Sequence, residues 1–240
     1  MTSKNIIQLH KSYEILGSFE RVCLERWKLL NPEWKYIFLT DHDLDEYICD
    51  TWPQHADAFN EMRGVLRSQF MRFASVYRYG GIYADCDCYP IRSLSQFVDP
   101  EKDAIWFRLL NRDINGLNLV ADYLFYAQQS HPHLREMIEQ SFERVGQQTS
   151  KFKNDFAGYM YWSSGIHGLS DIVMKKYNSA FQDGSGGCRP HDMLADPEKW
   201  DVFHYSVESW IPNNRFQRGG GDPKVDQINS LNMLKQIYGI

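Results

Sequence analysis

The stretch YRYGGIYADCDCYPIRSL, Tyr77 to Leu94, sets Asp85 and Asp87 two residues apart at the end of a short apolar run. In an extended segment side chains alternate between faces, which would point both carboxylates one way and send Cys86 and Cys88 the other way, into the core. Two carboxylates at that spacing repel unless a proton or a cation lies between them, and hard oxygen ligands suit Mg2+ or Mn2+. Such an ion keeps open positions that usually receive phosphate oxygens, so the pair points to a handler of diphosphates. The structural alternative is a pair of aspartates at a solvated strand end before a turn at Tyr89-Pro90. Gln69 and Arg72 favour the chemical reading. They lie on the helical stripe between Val65 and Val76 that should face the core, where polar groups need partners. Arg72 could pair with Asp85 as a structural salt bridge, or its planar fork could hold a phosphate or sugar hydroxyl.

The elements that must position these residues follow from periodicity. Met62, Val65, Leu66, Phe70, Phe73, Val76 and Tyr77 recur at helical spacing, which predicts an amphipathic helix over Glu61 to Tyr79, stopped by Gly80-Gly81. Ile82 to Ala84 then reads as a short strand that delivers the aspartates. Upstream, Asn5 to Leu9 reads as a first strand and Ser18 as the N-cap of a helix carrying Phe19, Val22, Cys23, Trp27 and Leu30. Asn31-Pro32 ends that helix, and Trp34 to Leu39 is a second strand. The order strand, helix, strand favours an α/β fold with a mostly parallel sheet flanked by helices. Downstream, Ala104 to Leu110 reads as a strand, and helices are expected over Leu119 to Gln129 and Leu134 to Val145 on either side of His131-Pro132. Asp222-Pro223 can serve as N-cap and first helical residue of a closing helix, about 223–238, bearing Val225, Ile228, Leu231, Leu234 and Ile237. Glycine clusters at 184–187 and 219–221 suggest loops over the site, and no linker divides the 240 residues, so one domain is expected.

Composition excludes several classes. A net charge of −5 without basic blocks leaves no electrostatic footprint for nucleic acid. No run approaches the length of a membrane span, and the polar amino terminus lacks the apolar stretch of a signal peptide. A cytoplasmic protein is expected, with room for peripheral contact at a membrane although no polybasic helix is evident. The 5 cysteines have no C-x-x-C spacing, which argues against a disulfide framework and against a zinc site. The glycine clusters contain no P-loop pattern.

Arg67-Ser68-x-x-x-Arg72 followed by Tyr79-Gly80-Gly81-Ile82-Tyr83-x-Asp85-x-Asp87 resembles glycosyltransferase family 32, the enzymes with a DXD sugar-binding region. Asn31-Pro32-Glu33-Trp34, Ala127, His131-Pro132 and His204-x-x-x-x-Ser209-Trp210 extend the resemblance along most of the chain. The resemblance implies the GT-A fold, a Rossmann-like sheet, and transfer of a sugar from a nucleotide-diphosphate donor with retention of configuration. It assigns Asp85 to the donor's ribose and sugar and to the metal, Asp87 and His204 to Mn2+ or Mg2+, and Ser209 and Trp210 to the diphosphate. It places His10, Ser68, Gln69 and Arg72 at the donor, and Asp122, Ser164 and Gly165 where sugars are handled. Asp85, Asp87 and Arg72 are the expected catalytic residues. The family usually has Asp at Gln69, Trp near His10, Asn at Asp122, and Thr-Gly-Pro at Ser164-Gly165-Ile166. Donor and acceptor therefore cannot be borrowed from relatives. A UDP-hexose donor is expected ahead of GDP-mannose, with a glycan, lipid-linked or protein hydroxyl as acceptor. Two rivals stand beside this reading. A haloacid-dehalogenase-type phosphatase also uses Asp-x-Asp, but after an early strand, whereas here a long helix precedes the pair. The other is a non-catalytic sugar- or metal-binding module on the same fold.

Overall fold

In the computed structural model the described residues are 3–40, 42–62, 64–114, 117–146, 156–165, 168–170, 173, 181–182, 198, 200–205 and 222–239. The chain starts with β1 (Asn5–Leu9), α1 (Ser18–Leu30) and β2 (Lys35–Leu39), and β1 and β2 pair in parallel. Gly17, not Ser18, caps α1, and no side chain contributes a capping hydrogen bond there. Next come α2 (Asp45–Thr51), α3 (Ala56–Glu61) and α4 (Gly64–Tyr79). The long helix predicted from Glu61 therefore begins at Gly64, because Met62 closes α3 in an extended conformation.

Two glycines join α4 to β3 (Gly81–Ala84). Gly80 and Gly81 have φ of 63° and 116°, and a Cβ on Gly81 would lie 2.3 Å from the Asn5 carbonyl oxygen. Only glycine lets this backbone reverse while pressed against β1. β3 then runs parallel to β1, and β4 (Cys88–Pro90) leaves the main sheet.

β5 (Ala104–Ile114) and β6 (Leu117–Ala127) complete the centre. The sheet order is β2-β1-β3-β6-β5-β7, where β7 is Phe181–Gln182. β6 is antiparallel to both β3 and β5, and the other pairings are parallel, so a single reversed strand sits inside an otherwise parallel sheet. The helix expected over Leu119 to Gln129 is thus β6. Its residues from Val120 to Ala127 are all buried, and a strand covered on both faces shows a continuous apolar run that periodicity cannot separate from a helix.

The core lies in two layers. Ile7, Tyr83 and Phe125 face α4 and α5 (Pro132–Gly146), packing on Phe70, Phe73, Val76, Met137 and Phe142. Ile6, Ile82, Leu124 and Tyr126 face the opposite way, toward Trp27 of α1, Trp34 and Leu94. A second sheet pairs β4 with β8 (Val202–His204), held between Phe19 and Cys23 of α1 and Leu234 of α7 (Pro223–Tyr238). Asp222 caps α7, its side chain accepting from the Lys224 N–H at 2.9 Å, with Pro223 in the first turn. The expected apolar stripe is only half used: Leu234 is buried, whereas Val225 and Ile228 are exposed and Gln227 and Ser230 are buried instead. Helix α6 (Phe156–Ser163) packs against α5. Among the described residues no helix is long and apolar enough to cross a membrane.

Candidate functional site

Asp85 and Asp87 do not lie in an extended segment. β3 ends at Ala84, and the Cys88 N–H donates to the Asp85 carbonyl at 3.0 Å, closing a turn over residues 85–88. The turn, rather than strand alternation, sets both carboxylates within 4 Å of one imidazole, that of His204, while Cys86 and Cys88 are both buried as expected. Cys86 packs with Leu16 and Leu24, and Cys88 with the layer that contains Trp27. The turn is anchored on several sides. The Asp85 N–H donates to Tyr123 O at 2.9 Å, Gln8 Nε2 donates to Asp85 O at 3.1 Å, and Trp27 Nε1 donates to Cys88 O at 2.9 Å.

Arg72 reaches this turn from α4. Its Nη2 lies 3.0 Å from Asp85 Oδ1, and its Nη1 lies 3.1 Å from Asp122 Oδ2 while donating to Asp122 O at 2.8 Å. The guanidinium sits 5.1 Å from the centre of the Tyr83 ring, and the Tyr83 hydroxyl donates to Asp85 Oδ1 at 2.7 Å. Burial alone works against the charge on Arg72, yet Asp85, Tyr83 and Asp122 hold its pKa above the ordinary value. Burial raises Asp85, the adjacent Arg72 opposes this, and Asp87 adds to it.

His204 enters from β8. Cys88 and His204 are direct cross-strand partners, and the Tyr205 N–H donates to Asp87 O at 3.2 Å, which fixes the imidazole beside the turn. Its Nε2 stands 3.3 Å from Asp87 Oδ1 and 3.9 Å from Asp85 Oδ2. The Tyr123 ring stacks on it at 3.9 Å. Burial pushes the imidazole down, and Asp87 with Asp85 and Asp122 more than reverses this. The pairing of β5 with β6 explains how neighbouring residues serve both sides. Register moves from Trp106↔Phe125 to Arg108↔Val120, so β6 bulges here. Asp122 meets Arg72, and Tyr123 packs with Leu124 in the opposite layer beside His204.

The donor chemistry suits a hard divalent cation: Asp85 and Asp87 each bring a carboxylate oxygen within 4 Å of the His204 imidazole, and the side chains of Asp85, Asp87 and His204 retain 24%, 18% and 12% exposure through which an ion could enter. The structure thus joins Arg72, Asp85, Asp87, Asp122 and His204. His10 stands at the same end of the sheet, just after β1, with Nδ1 2.9 Å from Ser12 O. Ser68 and Gln69 are one turn before Arg72 on α4. Ser68 Oγ donates to Val65 O at 2.9 Å, whereas Gln69 Oε1 and Arg72 Nε are buried with no partner among the described residues. Ser164 and Gly165 follow α6, their N–H groups donating to Met160 O at 3.2 and 3.0 Å, and no described contact links them to the carboxylates. Ser209, Trp210 and both glycine clusters lie outside the described residues. Tyr83 and Tyr123 had no assigned role. Tyr83 lies inside the Tyr-Gly-Gly-Ile-Tyr-x-Asp run, but only the fold shows its hydroxyl on Asp85.

Residues 18–105 match the family described as "Glycosyltransferase sugar-binding region containing DXD motif". A similar curated protein is inositol phosphoceramide mannosyltransferase 3 of Schizosaccharomyces pombe, 28% identical over 88 residues, which are 35% of this chain and 24% of the relative. The chain thus matches about a quarter of that relative's length. Among solved structures, one described as PaToxG glycosyltransferase superposes with a TM-score of 0.52 at 9% identity, covering 100% of this chain and 79% of that one. The fold is GT-A, an α/β sheet flanked by helices, as the resemblance implies.

Proposed function

We propose that this chain, whose residues 18–105 match a DXD-containing glycosyltransferase sugar-binding region, transfers a hexose from a nucleoside-diphosphate donor to a hydroxyl group with retention of configuration, using Mn2+ or Mg2+. The observation that carries this reading is the convergence of Asp85, Asp87, His204 and Arg72 from the β3 end, β8 and α4 at the C-terminal ends of parallel strands. That edge is where open α/β sheets bind nucleotides.

Asp87, His204 and Asp85 would hold the cation, which when bound supplies Lewis-acid stabilisation of the charge building on the leaving diphosphate. The remaining work is positional. The Tyr83 hydroxyl donates to Asp85 Oδ1, and Arg72 Nη2 lies 3.0 Å from Oδ1 and donates to Oδ2 at 3.4 Å, which fixes the plane of that carboxylate with Oδ2 also 3.9 Å from His204 Nε2. Tyr123 stacking and the β4–β8 pairing fix the imidazole. Holding donor and acceptor in one geometry is the main catalytic device, and no carboxylate is assigned as nucleophile.

Donors to test are uridine- and guanosine-diphosphate hexoses, the latter because the curated relative is named a mannosyltransferase. That name also puts an inositol-phosphate lipid headgroup among the candidate acceptor hydroxyls, beside glycans and proteins. Purified protein with a panel of nucleotide sugars should show one donor that raises the melting temperature and hydrolyses slowly only with Mn2+ or Mg2+. If no nucleotide sugar binds with any divalent ion, the chain is a binding module on this fold and the transferase reading fails.

A further inference from the structure

Cysteine spacing along the chain gives no hint of a thiolate metal site, yet the fold builds the geometry of one. Cys88 and His204 are directly opposed on antiparallel β4 and β8, and opposed residues in such a pair project from the same face with Cβ atoms about 4.5–5.5 Å apart. Asp87 precedes Cys88 in the turn, and ligand atoms of Asp87, Cys88 and His204 all lie within 4.8 Å of one another. Asp87 and His204 are partly exposed, while Cys88 is fully buried beneath them and contacts Tyr123 O through Sγ at 3.8 Å. One carboxylate, one imidazole and one thiol with an open outer side make a three-ligand set of the kind zinc occupies, with a fourth position for water or substrate.

We propose that Asp87, Cys88 and His204 form a second, sulfur-containing coordination set that captures thiophilic divalent ions of the zinc class. It shares Asp87 and His204 with the oxygen-rich set and exchanges Asp85 for Cys88, so the two ions exclude one another. Thiolate and imidazole ligands favour zinc over manganese in both ligand preference and position in the divalent series. On binding, the Cys88 Sγ–H proton passes to solvent and the Sγ lone pair bonds to the ion. The consequence for turnover rests on the transferase reading above: a zinc-class ion draws Asp87 and His204 away from Asp85 and blocks the donor. The binding itself does not depend on that reading.

Cobalt(II) alone is the probe, because a bound thiolate gives a sulfur-to-cobalt charge-transfer band in the near ultraviolet. Wild-type protein should develop this band, zinc should abolish it, and Cys88→Ser should lose it with Co2+ affinity at least about tenfold weaker, while Cys49→Ser keeps it. Zinc-edge X-ray absorption on the wild type needs no variant and should show a sulfur neighbour at about 2.3 Å with nitrogen or oxygen at about 2.0–2.1 Å. A zinc shell without sulfur, or a cobalt band that survives Cys88→Ser, overturns the proposal. Inhibition of donor hydrolysis by zinc is measured separately, so a protein that binds Co2+ through Cys88 but never turns over a donor refutes only the transferase reading.

Discussion

Replacing Arg72 by methionine keeps most of the side-chain volume and deletes the cation that Asp85 and Asp122 share. The native guanidinium lies 3.0 Å from one carboxylate and 3.1 Å from the other, with side-chain exposure of 9%, so solvent cannot take over its role. Removing one partner of a buried ion pair costs about 3–5 kcal/mol, because the remaining charge stays buried and uncompensated. At about 2–4 °C per kcal/mol for a chain of this size, Arg72→Met should melt about 6–20 °C below wild type. Arg72→Lys keeps the charge but cannot reach both carboxylates with one ammonium, and should fall between the two. Asp122→Asn retains a side-chain oxygen and the main-chain acceptor, so it should lose only about 1–2 kcal/mol, the margin of a charged over a neutral hydrogen bond. Urea and thermal unfolding without nucleotide measure all three. Pairing Arg72→Met with Asp122→Asn should give a coupling of about 0.5–3 kcal/mol. If Arg72→Met melts within about 2 °C of wild type, or the two changes are additive, the shared-cation account is wrong. Arg72 would then be free to serve the donor alone.

Asp87→Asn should leave the melting temperature nearly unchanged and abolish both metal-dependent donor hydrolysis and the donor's metal-dependent thermal shift; a folded variant with full hydrolysis would remove Asp87 from the site. Burial pushes Asp201 from 3.8 up to about 6 against the pull of Arg92. The charged form is therefore disfavoured in the folded state, and stability is fully present below pH 4 and lost as pH rises to 6. At about 1.4 kcal/mol for each tenfold change in acidity the loss is about 3 kcal/mol. Asp201→Asn should flatten that slope in urea unfolding at graded pH, and an unchanged slope would place its origin elsewhere. Gly81→Ala puts a Cβ 2.3 Å from a backbone oxygen at a φ of 116°, whereas Gly64→Ala at a φ of 58° meets nothing within 4 Å. The first should lose more than about 4 kcal/mol and the second about 1–2 kcal/mol, as unfolding midpoints would show.

Arg72 was legible in the sequence because α4 has clean helical periodicity, which makes a charged residue on the buried stripe conspicuous. β1, β2 and β3 were legible for a related reason, since Asn31-Pro32 and Gly80-Gly81 punctuate this part of the chain. β6 was not. Its apolar run, interrupted only by Asp122 between Val120 and Ala127, is buried on both faces and has no period to read, and its pairing with β3 and β5 depends on residues far away in sequence. The aspartate pair was found, but its geometry was misassigned, because the hydrogen bond from Cys88 to Asp85 that makes the turn has no local signature. His204 was reachable only through the family resemblance, and its stacking on Tyr123 only through the bulge in β6. On α7 the cap residues were plain, whereas the buried face followed the neighbouring α1, which takes Gln227 against Glu20.

On the transferase reading proposed above, the charges at the site call for a donor and a divalent ion to arrive together. Asp85 and Asp122 pair with the guanidinium of Arg72, and Asp87 and Asp85 lie within 4 Å of the His204 imidazole. With the imidazole neutral, as a metal ligand must be, the balance is three negative charges against one positive, a deficit that a divalent ion cancels. Both Nη groups of Arg72 are already committed to carboxylates, so the guanidinium has little charge to offer an incoming diphosphate. A nucleoside diphosphate entering without metal would add negative charge to a partly buried negative pocket, which is unfavourable in a medium of low dielectric constant. The carboxylates that make the pocket hostile to a bare nucleotide are the ones that make it attractive to an ion, so the proposed metal dependence of donor binding rests on the arrangement of Arg72 as much as on Asp87.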